Sequence, residues 1–234
     1  MRISRLALLV ALSTVHPLAS AADTTPNDST LGARPPEGAV VLFDGRSLDG
    51  WVKSDRKTPA AWPVEDGFFR VGKSQGSIMT AVPMGSARLH IEFNVPSMPD
   101  AKGQARGNSG VYLDGAYELQ ILDSYGLTPQ KNDCGAIYLQ VAPSVNACKP
   151  PLQWQTYDVT FHKAEKRDGK VVTKARVTVL QNGIKIIDDA EISPTPGGVG
   201  NKEGEEGPLM LQDHGNDVRF RNIWVVPLSK ASGE

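Results

Sequence analysis

Three polar segments carry the residue types that chemistry requires. The first is Asn108-Ser109-Gly110-Val111-Tyr112-Leu113, followed by Tyr117-Glu118-Leu119-Gln120-Ile121-Leu122-Asp123-Ser124-Tyr125-Gly126. Glu118 and Gln120 are two apart and so share a strand face, while Leu119 and Ile121 turn to the other. Asp123 falls one residue beyond that alternation and reaches the same side only through a bulge or a turn at the strand end. Two carboxylates in reach of one another can be split between acid and base roles. The second segment is Leu209-Met210-Leu211-Gln212-Asp213-His214-Gly215-Asn216-Asp217-Val218-Arg219-Phe220-Arg221. His214 beside Asp213 suits proton transfer near neutral pH. Arg219 and Arg221 share one face and suit an oxyanion or a polarised carbonyl. The third is Trp154-Gln155-Thr156-Tyr157-Asp158, where an indole face for sugar C–H groups adjoins amides for hydroxyls. For each segment the bland alternative is a solvated strand face, an exposed turn histidine or a core tryptophan. His90 and His162 fall on polar strand faces and are expected at the surface.

The elements that must position these groups read as strands. Leu89, Ile91, Phe93 and Val95 alternate with Arg88, His90, Glu92 and Asn94, and Tyr157, Val159 and Phe161 alternate with Thr156, Asp158, Thr160 and His162. Val171–Leu180 and Val218–Val226 repeat the pattern. Asn182-Gly183 and Asp66-Gly67 are hairpin turns, because a type I′ turn needs positive φ at both central positions. Pro96–Gly107 and Pro194–Pro208 are long loops of the sort that wall a site. With 23 Gly and 17 Pro in 234 residues and no sustained helical period, the chain is expected to be all-β. Its form is a jelly-roll sandwich of two antiparallel sheets.

Composition removes other classes. A formal net charge of -1 argues against a general nucleic-acid binder. Walker, Rossmann, serine-elbow and two-histidine metal motifs do not occur. Arg2 and Arg5, the apolar run Leu6–Leu12 and Ala19-Ser20-Ala21 form a secretory signal peptide over residues 1–21, with no membrane insertion expected. Residues 22–36 read as a disordered leader, 37–229 as one domain and 230–234 as a tail. Export, periplasmic or beyond, favours a disulfide between Cys134 and Cys148, the alternative being two buried thiols.

Taken together and in order, these blocks, with Leu42-Phe43-Asp44-Gly45-Arg46-Ser47-Leu48-Asp49-Gly50-Trp51 and Cys134-Gly135-Ala136-Ile137-Tyr138, resemble the exported bacterial 3-keto-disaccharide hydrolase family. Its members are also described as 3-keto-glucoside 1,2-lyase/3-keto-2-hydroxy-glucal hydratase domains. The resemblance runs from about Val40 to Pro227 and implies a concanavalin A-like fold and chemistry on 3-keto-glycosides, net hydrolysis by elimination and hydration. Asp114 and Ala116 depart from the pattern, and Asp114 in place of a basic residue suggests a cation or a different sugar there. The residues expected to act are Glu118, Asp123 and His214 in catalysis. Asn108, Tyr112, Gln120, Trp154, Gln155, Gln212, Arg219 and Arg221 are expected to bind substrate. A divalent metal on Glu118, Asp123 and Asp213 is the alternative to an arginine electrophile. A non-catalytic sugar-binding module and a conventional glycosidase are the rival readings, and a separate exported oxidoreductase would supply the keto sugar.

Overall fold

The computed structural model describes residues 30–200 and 203–228. Fifteen strands follow in order: β1 Val40–Phe43, β2 Trp51–Lys53, β3 Val64–Glu65, β4 Phe68–Arg70, β5 Ile78–Pro83, β6 Ala87–Asn94, β7 Ser109–Leu113 and β8 Tyr117–Ile121. Then come β9 Gln155–His162, β10 Glu165–Arg167, β11 Lys170–Thr173, β12 Ala175–Gln181, β13 Ile184–Ile192, β14 Pro208–Leu211 and β15 Arg219–Pro227. One sheet has the order β13-β12-β9-β6-β15-β4-β3, with β1 also pairing with β15. A five-stranded sheet has the order β2-β5-β14-β7-β8, and β10-β11 form a separate ribbon. The molecule is therefore a jelly-roll β-sandwich of two antiparallel sheets.

Alternation builds the core. Leu89, Ile91 and Phe93 from β6 meet Tyr157, Val159 and Phe161 from β9, and Val111, Leu113, Leu119 and Ile121 face them from the five-stranded sheet, all buried. Asn182 and Gly183 have φ of 50° and 78° and join β12 to β13; Asp66 and Gly67, at 48° and 82°, join β3 to β4. The run Val171–Leu180 divides at Lys174, because β11 pairs away with β10.

Residues 1–21 and 230–234 lie outside the described residues. The leader reading fails over its last part. Thr30 Oγ1 lies 2.6 Å from Thr156 Oγ1, Gly32 N–H donates to Glu92 at 2.6 Å, and the Ala33 carbonyl accepts from Asn222 Nδ2 at 3.0 Å. These bonds strap residues 30–33 across the outer face of the larger sheet.

His90 lies beneath that strap, wholly buried, not at the surface. Its Nδ1 is 2.7 Å from Asp158 Oδ1 and its ring stacks on Trp224 at 5.0 Å. Burial alone would lower its pKa, but hydrogen bonds to Asp158 and Glu92 lift it to about 8.

Cys134 and Cys148 are free buried thiols, so the expected bridge is absent. Each sulfur is held in a polar knot instead. Gln181 Nε2 donates to both, at 3.6 and 3.4 Å, and the Tyr157 hydroxyl sits 3.0 Å from Cys134 Sγ. The contact with Cys134, and then burial, push the Cys148 thiol up.

Candidate active site

The antiparallel pair β7–β8 sets out the site in rungs. Tyr112 pairs with Glu118 and Gly110 with Gln120, and these four point away from the core. Val111, Leu113, Leu119 and Ile121 point into it. Beside them, Met210 pairs with both Tyr112 and Met79, which gives the face an apolar floor.

Gly110 is required by this arrangement. A Cβ there would stand 2.6 Å from Glu118 Oε1, so only glycine lets the carboxylate lie across β7. Glu118 is 3% exposed. Burial lifts its pKa from the ordinary 4.5 to about 7, partly offset by the Tyr112 hydroxyl. Burial, then the Glu118 charge, push the Tyr112 phenol up, so it stays protonated. Tyr112 OH donates to the Pro196 carbonyl at 3.0 Å and accepts from Gln212 Nε2 at 3.2 Å.

Two loops close the site. The Thr195 hydroxyl accepts from Glu118 N–H at 2.9 Å, and Thr195 N–H donates to the Ala116 carbonyl at 2.8 Å. From the other side, around the 3-10 turn Gly103–Ala105, Gln104 Oε1 accepts from Gln120 Nε2 at 2.8 Å and Asn108 Nδ2 donates to the Gln104 carbonyl at 2.7 Å. Arg106 Nη2 donates to Asp123 Oδ2 at 2.7 Å, while Asp123 N–H donates to the Arg106 carbonyl at 3.0 Å. The outer edge of β8 is covered as well. Gln120 N–H donates to the Ala136 carbonyl at 2.9 Å and Tyr138 N–H to the Glu118 carbonyl at 3.0 Å.

Of the residues expected from sequence, Glu118, Tyr112, Gln120, Asn108 and Gln212 are thus brought together, with Asp123 at the end of the row. The others go elsewhere. Arg219 and Arg221 lie on the outer face of the larger sheet, on the far side of the sandwich, because β15 pairs with β6 there. Arg221 Nε donates to Glu92 at 2.7 Å and its guanidinium covers Trp154 at 4.1 Å; Arg219 lies 5.2 Å over Phe68. Trp154 is on that same far face. Gln155, one residue on, turns into the interior, where its Oε1 accepts from Lys149 N–H and Gln181 Nε2.

His214 is exposed at its turn, and no hydrogen bond or ion pair holds it among the described residues. Asp213 cannot orient it, since its carboxylate accepts from the backbone of Gly76 and Gly215, each at 2.9 Å. Glu118, Asp123 and Asp213 do not converge either, and no group of three His, Cys, Asp or Glu side chains does so among the described residues. Asp114 is buried and accepts from Gly85 N–H at 3.1 Å and Gly207 N–H at 2.9 Å, so it fastens a turn where a cation or sugar contact was expected.

Gln104 and Arg106 were missed. The only signal for them was the length of the Pro96–Gly107 loop.

A jelly-roll sandwich with a loop-covered buried carboxyl on one outer face is an architecture that hosts several functions, and the family decides between them. Residues 38–226 match the 3-keto-alpha-glucoside-1,2-lyase-like domain family, and the chain belongs to it. A 3-keto-disaccharide hydrolase of Bacteroides thetaiotaomicron is 27% identical, over 81% of this chain and 78% of that protein. A crystal structure of a candidate glycosyl hydrolase from Parabacteroides distasonis is 35% identical, covers 94% of each chain and superposes with a TM-score of 0.77. A second from the same organism, 21% identical over 82% of this chain and 95% of that one, shares the fold at a TM-score of 0.61.

Proposed function

We propose that the protein cleaves 3-keto-glycosides by elimination across C1–C2 followed by hydration, with Glu118 as the base at C2. The observation that carries this is a buried carboxyl laid across β7 over Gly110 and lifted to about 7, beside a phenol that stays protonated. A ketone at C3 acidifies the C2 proton, and a base titrating near neutrality is matched to its removal. Glu118 takes the C2 proton and the C–H electron pair becomes the enolate. Tyr112 turns its single O–H from the Pro196 carbonyl to donate a hydrogen bond to the charge that develops on the C3 oxygen. The enolate then re-forms the ketone as the C1–O bond breaks, and the departing oxygen takes the proton that Glu118 carries from C2. Water adds to C1 of the enone and a proton returns to C2, which gives net hydrolysis.

A retaining glycosidase would need a second carboxylate about 5–5.5 Å from the first. Only burial and Tyr112 perturb Glu118, which disfavours that reading. Export through residues 1–21, and a separate exported oxidoreductase that makes the keto sugar, belong to the same proposal.

The test is NMR of the protein with a 3-keto-α-glucoside in D₂O. Aglycone release with deuterium entering at C2 supports elimination. Release without exchange means direct hydrolysis, and line-broadening without release means a binding module.

A further inference from the structure

The larger sheet, which does not carry Glu118, has a gap in it. One edge of β15 is shared by two strands: β4 pairs with Arg219 and Phe220, and β1 with Ile223, Trp224 and Val225. Arg221 and Asn222 lie between the two and pair with neither. At the same place the register of β15 against β6 shifts, and Asn222 takes a φ of 46°. Such bulges re-aim side chains and recur beside functional sites. A cavity of about 310 Å³ occupies the gap, within the range of about 300–1,000 Å³ usual for small-molecule sites. Val41 and Phe43 give it an apolar wall. Gly45 and Gly67 line it too, and their turns touch: a Cβ on Gly45 would stand 3.2 Å from the Gly67 backbone.

Three polar side chains complete the lining: Asp44, Arg221 and Asn222. Arg221 is held on two sides, by Trp154 at 4.1 Å and by the bond from its Nε to Glu92 at 2.7 Å. Its terminal nitrogens have no hydrogen-bond partner among the described residues. Asn222 spends its Nδ2 on the Ala33 carbonyl and Glu92, which leaves its Oδ1 to accept. Asp44 Oδ1 accepts from Arg46 N–H at 3.0 Å, but its Oδ2 has only Arg46 Nε, at 3.8 Å. Glu92 balances the charge of Arg221 and Arg46 that of Asp44, so the lining offers an ion no unmatched opposite charge. It offers free donors and acceptors beside an apolar wall, which suits a ring with hydroxyls at its edge and C–H groups on its face.

We infer that this gap is a second binding site, separate from the catalytic face, and that it takes one neutral pyranose ring. The inference goes beyond the proposed reaction and does not rest on it.

The experiment follows the backbone amides of the full chain by NMR during titration with methyl α-glucoside and with methyl α-glucuronide. The Gly45 and Gly67 amides are expected to move together with a Kd of about 1 mM for the glucoside, and more weakly for the charged sugar. Asp44→Ala removes an acceptor from a half-exposed position, and Val41→Trp fills the cavity while keeping every polar group. Each should weaken the Gly45 and Gly67 response at least tenfold. Glu118→Gln, on the other sheet, should leave it as it is. Unchanged dispersion of the spectrum shows that a variant is folded, and either Asp44→Ala or Val41→Trp alone decides the question. No response at Gly45 and Gly67, or one that survives both substitutions, overturns the site. A response lost in Glu118→Gln overturns its separateness, and tighter binding of the glucuronide overturns the neutral ligand.

Discussion

Glu118 and Glu92 are the same residue type, both buried, one on each outer face of the sandwich, and they are driven in opposite directions. Burial raises each. Glu92 is nevertheless held near 2, because His90, Asn222, Arg221 and the Gly32 N–H all bond to its carboxylate. Glu118 has Tyr112 alone and rises to about 7. A buried carboxylate surrounded by donors is a fastening, and one left nearly bare is a reagent.

The contrast can be broken by substitution. Glu118→Gln should cut turnover of a 3-keto-glucoside by roughly 10²–10⁴-fold. The same change should stabilise the protein above pH 7. A carboxyl moved from 4.5 to about 7 favours its protonated form when folded, so its contribution is lost as pH rises between those values. Removing it should recover about 3 kcal/mol at pH 8, seen in denaturant melts. Full turnover by this variant would remove Glu118 from the chemistry.

Glu92→Ala should do the reverse. It leaves His90 and Arg221 without their carboxylate and should cost about 3 kcal/mol of stability with kcat unchanged. A loss of kcat without loss of stability would make the far face part of the reaction.

The pH profiles sharpen the difference. kcat/KM should rise through about pH 7 as Glu118 ionises. Stability carried by His90 should be whole below its unperturbed 6.5 and fade as pH passes through about 8. In Glu92→Ala the second change should shrink while the first stays.

The smallest effect is expected at Trp154. Its replacement by Ala removes the cation–π contact with Arg221 and should cost about 1 kcal/mol, with KM for the keto sugar unchanged. A rise in KM would return Trp154 to the substrate.

Period two made the strands legible, down to which side of β6, β8 and β9 enters the core. It also placed Arg219 and Arg221 on one shared face. What it could not give was which outer face, since a sandwich has two and the choice lies in long-range pairing of β15 with β6. Grouping Trp154 with Gln155 ran against the alternation itself, because neighbours on a strand point opposite ways. His90 was misplaced for another reason. A polar strand face predicts solvent, and the strap from Thr30 to Ala33 replaces solvent there. Gln104 and Arg106 sit in a loop, where no period tells direction. The cysteine spacing of fourteen residues permits a bridge but does not compel one.

The covered edge of β8 has a consequence for motion. The amide protons of Glu118 and Gln120 are donated to the Thr195 hydroxyl and the Ala136 carbonyl, both on segments that close over the strand. They therefore exchange with solvent deuterium only when that cover lifts. The exchange rate of these two protons therefore counts how often the edge of β8, and with it the strand that carries Glu118, comes free of its cover.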